Sequence, residues 1–308
     1  MDFSLLFLIA AFGGGLFGAA VGGLPAFIFT GFLVIAGVAA SIGGGNYDMI
    51  GNIAFGPIFG PHISFGGAVA AAAFARRQGL LDNGKDITAG LAGTGSPAVL
   101  LVGGAFGALG YLIASLLGTF LTSYTDVIAL TVALSAIIVR VVFGSTGIFG
   151  NLEPAAAQRG RFNPGDTQVW VPHQEKWAQA AVIGLGVGAM SGFMFITIIG
   201  ISPDLATAAT VLGFGISAAS LIFLQFGTAI PVTHHMALPA AVAAGALGAG
   251  LGDTGVLIIA MIGGVLGALV GEFAARLFLI HGDTHIDPPA VAIAVMTTVF
   301  LLLGLAVA

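Results

Sequence analysis

Cysteine is absent from the 308 residues, which excludes disulfides, thiol catalysis and thiolate metal sites. Charge is almost as scarce: 7% of residues are charged, with 8 bases against 13 acids. The resulting net charge of −5 argues against nucleic acid as a partner. No Walker lysine follows the glycine runs, and neither an HExxH nor a triad-type set occurs. The chain is therefore expected to be no enzyme, with no catalytic residues, no resident metal and no cofactor.

What the chain has instead is apolar residues, 58% of the total, together with 50 glycines. A bilayer core of about 30 Å takes roughly 20 apolar residues per helical crossing, and nearly everything outside two short polar stretches meets that length. A barrel would show short strands of alternating polarity, and "VIALTVALSAIIVRVVF" does not alternate. An all-α integral membrane protein is predicted, with the lipid bilayer as its main partner. The run from Phe3 onward lacks a small-residue cleavage site and reads as a retained first span.

Gly, Pro, Asp and Asn punctuation divides the chain into spans near 4–21, 25–41, 50–76, 96–121, 126–144, 177–199, 203–222, 226–249, 255–280 and 288–307. The expected organisation is a first five-span repeat over 1–144, a polar linker over 145–176 and a second five-span repeat over 177–308. Three blocks recur in the same order. "HISFGGAVAAA" from His62 pairs with "HMALPAAVAAG" from His235, "GTGSPAVLLVGGAFGAL" (Gly93 to Leu109) with "GDTGVLIIAMIGGVLGAL" (Gly252 to Leu269), and "DVIALTVAL" from Asp126 with "DPPAVAIAV" from Asp287. Recurrence of this kind marks an internal repeat.

An odd number of spans per half turns the second half upside down. With that count Arg76, Arg77, Lys85, Arg140, Arg159, Arg161, Lys176 and Arg276 fall on one side, while Asp2, Asp48, Asp126, Asp204 and Asp253 fall on the other. The positive-inside rule then predicts a cytoplasmic-membrane protein with both termini outside and loops 77–87 and 145–176 cytoplasmic. Trp170 and Trp177 would be interfacial aromatics.

Two stretches break the apolar pattern at corresponding places: "FGPIFGPHISFGG" (Phe55 to Gly67) and "FGTAIPVTHHMALPAA" (Phe226 to Ala241). Interrupted helices in spans 3 and 8 are expected, because backbone freed by Gly and Pro must be buried in protein or line a cavity. His62, Ser64, Thr233, His234 and His235 are the candidate substrate- or ion-binding residues there, contacting solute or carrying protons. Successive residues on a helix point about 100° apart, so chelation of one zinc by His234 and His235 is not expected. The paired loops "AGTGSPA" and "GLGDTGV" add Thr94, Ser96, Asp253 and Thr254 as candidates, through hydroxyl, carboxylate and helix-start N–H groups. Simple capping would explain the same residues. "HGDTHIDPP" (His281 to Pro289) reads as a solvated turn with Asp287 as N-cap, and Glu272 with Arg276 as an i,i+4 ion pair.

"GLGD" (Gly250 to Asp253) resembles the GxGD motif of intramembrane aspartyl proteases, and "YD" (Tyr47, Asp48) resembles their second motif. That resemblance implies two carboxylates sharing a proton, whereas the expected topology puts both at the outer face. The leading expectation is a transporter or permease for a small solute or ion, a secondary carrier with its site between the inverted repeats. At the level of general form it resembles secondary carriers and small-solute channels of the urea-transporter kind. A passive channel with a constriction at Phe55, Phe59 and Phe65 is the alternative. Behind it stand a non-transporting anchor subunit that uses the basic linker, and the protease. Homo-oligomerisation is compatible with all of them.

Overall fold

The computed structural model describes residues 3–165 and 168–307. Among these the chain is helical, without strands. The first half contributes α1 (Leu5–Val21), α2 (Gly23–Ile42), α3 (Ser64–Arg77), α4 (Pro97–Leu121) and α5 (Val127–Phe143). A short α6 (Pro154–Arg159) lies in the linker. The second half contributes α7 (Trp177–Ile199), α8 (Ala206–Ser220), a one-turn α9 (Ile222–Gln225), α10 (His234–Leu247), α11 (Gly252–Ala274) and α12 (Pro288–Val307).

Six helical stretches among the described residues are long and apolar enough to cross a membrane: Gly23–Ile42, Pro97–Leu121, Trp177–Ile199, Pro203–Gln225, Gly252–Leu279 and Pro288–Val307. Leu5–Val21 and Val127–Phe143 are apolar but shorter. Their outward faces carry large apolar side chains such as Leu6, Leu116, Val182 and Phe193, all more than 60% exposed. Exposed apolar surface this extensive is incompatible with water on all sides. The chain is a multi-pass α-helical membrane protein.

The two interrupted segments differ from unbroken spans as expected, and the break is longer than the punctuation alone requires. α3 and α10 are 14 residues each, about 21 Å at the α-helical rise, short of a bilayer core. A π turn over Ile50–Ala54 and irregular chain precede α3; irregular chain over 228–233 precedes α10. Pro57, Pro61 and Pro231 cannot donate to a helical ladder. Both short helices are largely buried, and the irregular chain enters the protein at residues 60–63 and 232–233, which are buried as well.

Glycine sets how the helices meet. A β-carbon on Gly15 of α1 would strike the Gly103 carbonyl and Gly107 of α4, and one on Gly184 of α7 would strike the Gly264 carbonyl of α11. The same device therefore packs α1 on α4 and α7 on α11. α2 and α8 cross through a reciprocal contact, Gly31 on Ala218 and Gly215 on Val34. That register makes the two helices antiparallel. α5 and α12 are antiparallel as well: the Asp126 N–H donates to Thr297 Oγ1 at 3.0 Å, and Arg140 Nε donates to Thr284 Oγ1 at 2.6 Å. Both begin with the same cap, Asp126 accepting from the Ala129 N–H and Asp287 from the Ala290 N–H, each at 2.8 Å.

At one end of the bundle the basic residues converge. Asp283 accepts from Arg76 Nη1 at 3.0 Å, from the Ser145 N–H and hydroxyl, and from Thr146 Oγ1 at 2.8 Å. Arg140 lies alongside, fully buried, donating to the carbonyls of Gly147, Ile148, Phe278 and Thr284. The turn at 281–287 is thus buried rather than solvated, because it is the surface on which the linker and the ends of α3 and α5 close. The Glu272–Arg276 pair forms at 2.8 Å, and the guanidinium stacks 4.3 Å over Trp177.

Candidate functional site

A cavity of about 960 Å³ lies between the two halves. Its walls come from α2, α3, α5, α8, α10 and α12 and the loops beside them, while α1, α4, α7 and α11 contribute nothing. Lining positions run from Thr210 to Leu224, about 20 Å of helix, so the cavity is long and narrow. Its wall is mainly aromatic and aliphatic: Phe27, Phe65, Phe214, Leu238, Val242 and Ile293. Polar groups sit at its two ends, Thr125, Asp126, Thr210 and Thr297 towards one, and Lys85, Thr146, Asn151, His281 and Gln168 towards the other.

Of the histidines at the two breaks, His234 is the one that lines this chamber. It is the first residue of α10, directly after the N-cap position Thr233. Its ring lies against Phe27 at 4.6 Å and Phe214 at 5.7 Å between centroids. It is 6% exposed, and its Nδ1 has no partner among the described residues. On the same wall Asp287 is occupied by His285 Nε2 at 3.1 Å and by its helix cap.

The other candidates from the sequence are placed differently. His62 and His235 are fully buried and absent from the chamber wall, and neither ring has a hydrogen-bond partner among the described residues. The His62 carbonyl packs on Gly110 and the His235 carbonyl on Gly267. Pro239 lies inside α10 and, lacking an N–H, leaves the His235 carbonyl without its helical donor. Ser64 is buried, its hydroxyl 3.4 Å from the Phe59 carbonyl. Thr233 is buried beside His234 without a side-chain cap bond.

Thr94 and Ser96 form a local turn, Thr94 Oγ1 donating to the Leu91 carbonyl at 2.7 Å and accepting from the Ser96 N–H at 3.3 Å. Asp253 and Thr254 are exposed in the first turn of α11, whose N-cap is Leu251 rather than either of them. None of these four lines the chamber. Asp48 accepts from the Gly51 N–H at 2.8 Å, and it too is absent from the wall. Phe55 and Phe65 line the chamber, whereas Phe59 packs on Phe17 and Phe29. No group of three or more metal-ligating side chains occurs among the described residues.

The linker's position is not legible from its residues. Residues 168–174 fold onto the second break: Gln174 Oε1 accepts from the Val232 N–H at 2.7 Å, Gln174 Nε2 donates to the Val232 carbonyl, and His173 meets the Ile230 carbonyl. Trp170 covers the His235 ring at 5.7 Å and forms part of the chamber wall. Lys85, one of two lysines in the chain, lies on the chamber wall as well. Burial, with the Arg140 charge added, lowers its ammonium from the ordinary lysine range, while Asp283 acts in the opposite direction.

These features define a helical membrane protein with an elongated internal chamber between two similarly ordered sets of helices. The chain belongs to DUF7973, a family of unknown function, whose model matches residues 1–158 and again residues 150–307. No curated protein and no solved structure matches the chain.

Proposed function

We propose that the chain is a membrane carrier for a small solute, moving it through the chamber between two inverted halves, with His234 as the central contact. Ten membrane segments, five in each half, make up the carrier, α3 and α10 being the interrupted ones. Both termini lie outside, and the loops 77–87 and 145–176 face the cytoplasm. On this reading the chain is a transport protein and not an enzyme.

The observation that carries the proposal is the chamber's construction from matched elements, α2, α3 and α5 facing α8, α10 and α12. The reciprocal antiparallel crossing of α2 and α8 supports an approximate two-fold axis in the membrane plane, the arrangement that alternating access exploits. The double match of one family model supports two copies of one unit. Gathering Arg76, Arg140 and the linker at one end of the bundle supports a common, cytoplasmic side for the bases.

The absence of cysteine makes the test direct. Thr210→Cys and Leu238→Cys are introduced singly, and a membrane-impermeant thiol reagent is added to either face of sealed vesicles. A carrier gives modification from one face in a given state; a permanently open channel gives it from both. Val182→Cys, on an outward face, serves as the unreactive control. No modification of Thr210→Cys or Leu238→Cys from either face would reject both forms of transport.

A further inference from the structure

We infer that the chamber is built for an amphipathic anion, whose charged group sits on Lys85 and whose apolar body lies along Phe65, Phe27 and Phe214. The inference rests on the transport reading and adds the class of solute.

Charge at the Lys85 end decides the sign. The carboxylates on the wall are largely occupied: Asp126 and Asp287 cap helices through the N–H groups of Ala129 and Ala290, and Asp287 also binds His285. Asp283 is held between Arg76 at 3.0 Å and Arg140 at 3.8 Å, so two guanidinium charges meet one carboxylate. Lys85, on the chamber wall within electrostatic reach of both arginines, makes no side-chain hydrogen bond or ion pair among the described residues. Two opposing charges act on it, Asp283, which the two arginines already hold, and Glu153, an exposed residue on the same wall. The balance at this end is positive, with the unpaired ammonium facing the chamber. Asn151 stands on the same stretch of wall as a further donor; a carboxylate or phosphate accepts from groups of this kind.

The stretch of chamber between its two polar ends cannot solvate a small inorganic ion. Phe65 leads away from the polar end, its ring 5.8 Å from His285 and 6.1 Å from Phe27, and Phe27 in turn lies 5.7 Å from Phe214. His234, more than nine-tenths buried with Nδ1 unpartnered, sits against Phe27 and Phe214 and offers one polar contact partway along. A solute that satisfies both ends of this surface carries an anionic group on an apolar or aromatic body.

The test uses Leu238→Cys in nanodiscs of zwitterionic lipid, with thiol labelling read as a function of added 4-phenylbutyrate, 4-phenylbutylamine or 4-phenylbutanol. The anion is expected to protect the thiol at concentrations where the amine and alcohol do not. Lys85→Gln should raise the half-protecting concentration by about tenfold or more, the effect of one lost charge-assisted hydrogen bond, and Lys85→Arg should largely restore it. Glu153→Gln, at an exposed position, should lower it.

Equal protection by anion and amine, preference for the amine, or indifference to Lys85→Gln would overturn the anion assignment while leaving the chamber reading intact. A thiol that never labels without solute would overturn both. Repeating the labelling with phosphatidylglycerol in the nanodisc separates sources: protection by that lipid alone, lost in Lys85→Gln, supports the anion site with a lipid headgroup as its occupant.

Discussion

Gly31 of α2 rests directly on the backbone of Ala218 in α8, and a β-carbon at Gly31 would collide with the peptide that joins Ala218 to Ala219. Backbone cannot swing aside as a side chain can, so Gly31→Ala must push the two helices apart at the crossing where the halves meet. Overpacking of this kind costs about 1–3 kcal/mol. Gly13 of α1, which has nothing within 4 Å of an added β-carbon, provides the control. Gly13→Ala should gain up to about 1 kcal/mol from helix propensity. Thermal unfolding in detergent should therefore move in opposite directions for the two variants; a neutral Gly31→Ala would refute the close crossing.

Arg140 is a buried cation whose five donors are spent on the Thr284 hydroxyl and four carbonyls, with Asp283 as its ion-pair partner at 3.8 Å. Lysine has neither the fork nor the number of donors, so Arg140→Lys should destabilise nearly as much as Arg140→Met. Breaking a buried pair costs about 3–5 kcal/mol. Its partner sets a pH dependence. Burial alone would raise the Asp283 carboxyl, but hydrogen bonds from Ser145 and Thr146 and the charge of Arg76 outweigh it and hold the group below the ordinary carboxylate range. A carboxyl depressed in the folded state contributes stability that is fully present above its unfolded value and lost as pH falls through the folded one. Unfolding temperature should hold from neutrality to about pH 4 and drop below it. Asp283→Asn should be less stable at pH 7 and show a shallower acid limb.

The linker is held onto the second break chiefly by one side chain, Gln174, which pairs with both the N–H and the carbonyl of Val232. Removing the amide should free residues 168–174 and uncover Trp170. The chain has two tryptophans, so Trp177→Phe leaves Trp170 as the single reporter. In that background Gln174→Leu should red-shift the emission and increase quenching by acrylamide. Unchanged quenching would mean that the His173 contact with the Ile230 carbonyl and the packing of Val171 and Trp170 hold the strap without Gln174.

Much of this architecture is legible in the residues, and what is hidden has a physical reason. The apolar runs give the long helices because span length is set by the bilayer, and the two Gly- and Pro-broken stretches mark α3 and α10 because proline removes a donor wherever it falls. The cap at Asp287 and the Glu272–Arg276 pair are local, with partners three and four residues away. The docking of Gln174 on Val232 and the burial of the turn at 281–287 depend on residues far apart in the chain. Their polar composition matches a solvated loop equally well. The facing of each histidine was hidden for the same reason: sequence fixes the angle between His234 and His235, while neighbouring helices decide which one meets the chamber.

That difference between neighbours yields the sharpest expectation for the histidines. His234→Cys should react with a small thiol reagent, because the side chain at 234 lines the chamber. His62→Cys and His235→Cys should not, since both positions are fully buried and off the wall. The position at 235 is separated from the chamber by the Trp170 ring, 5.7 Å away and itself part of the wall, so Trp170→Ala should make His235→Cys reactive while leaving His62→Cys inert. Labelling of all three cysteines in the otherwise unaltered chain would place both breaks on one water-filled space and overturn the assignment of His234 as the sole chamber histidine of the three. Labelling of His234→Cys alone, extended to position 235 when the indole is removed, would make the linker the wall that separates two adjacent imidazoles.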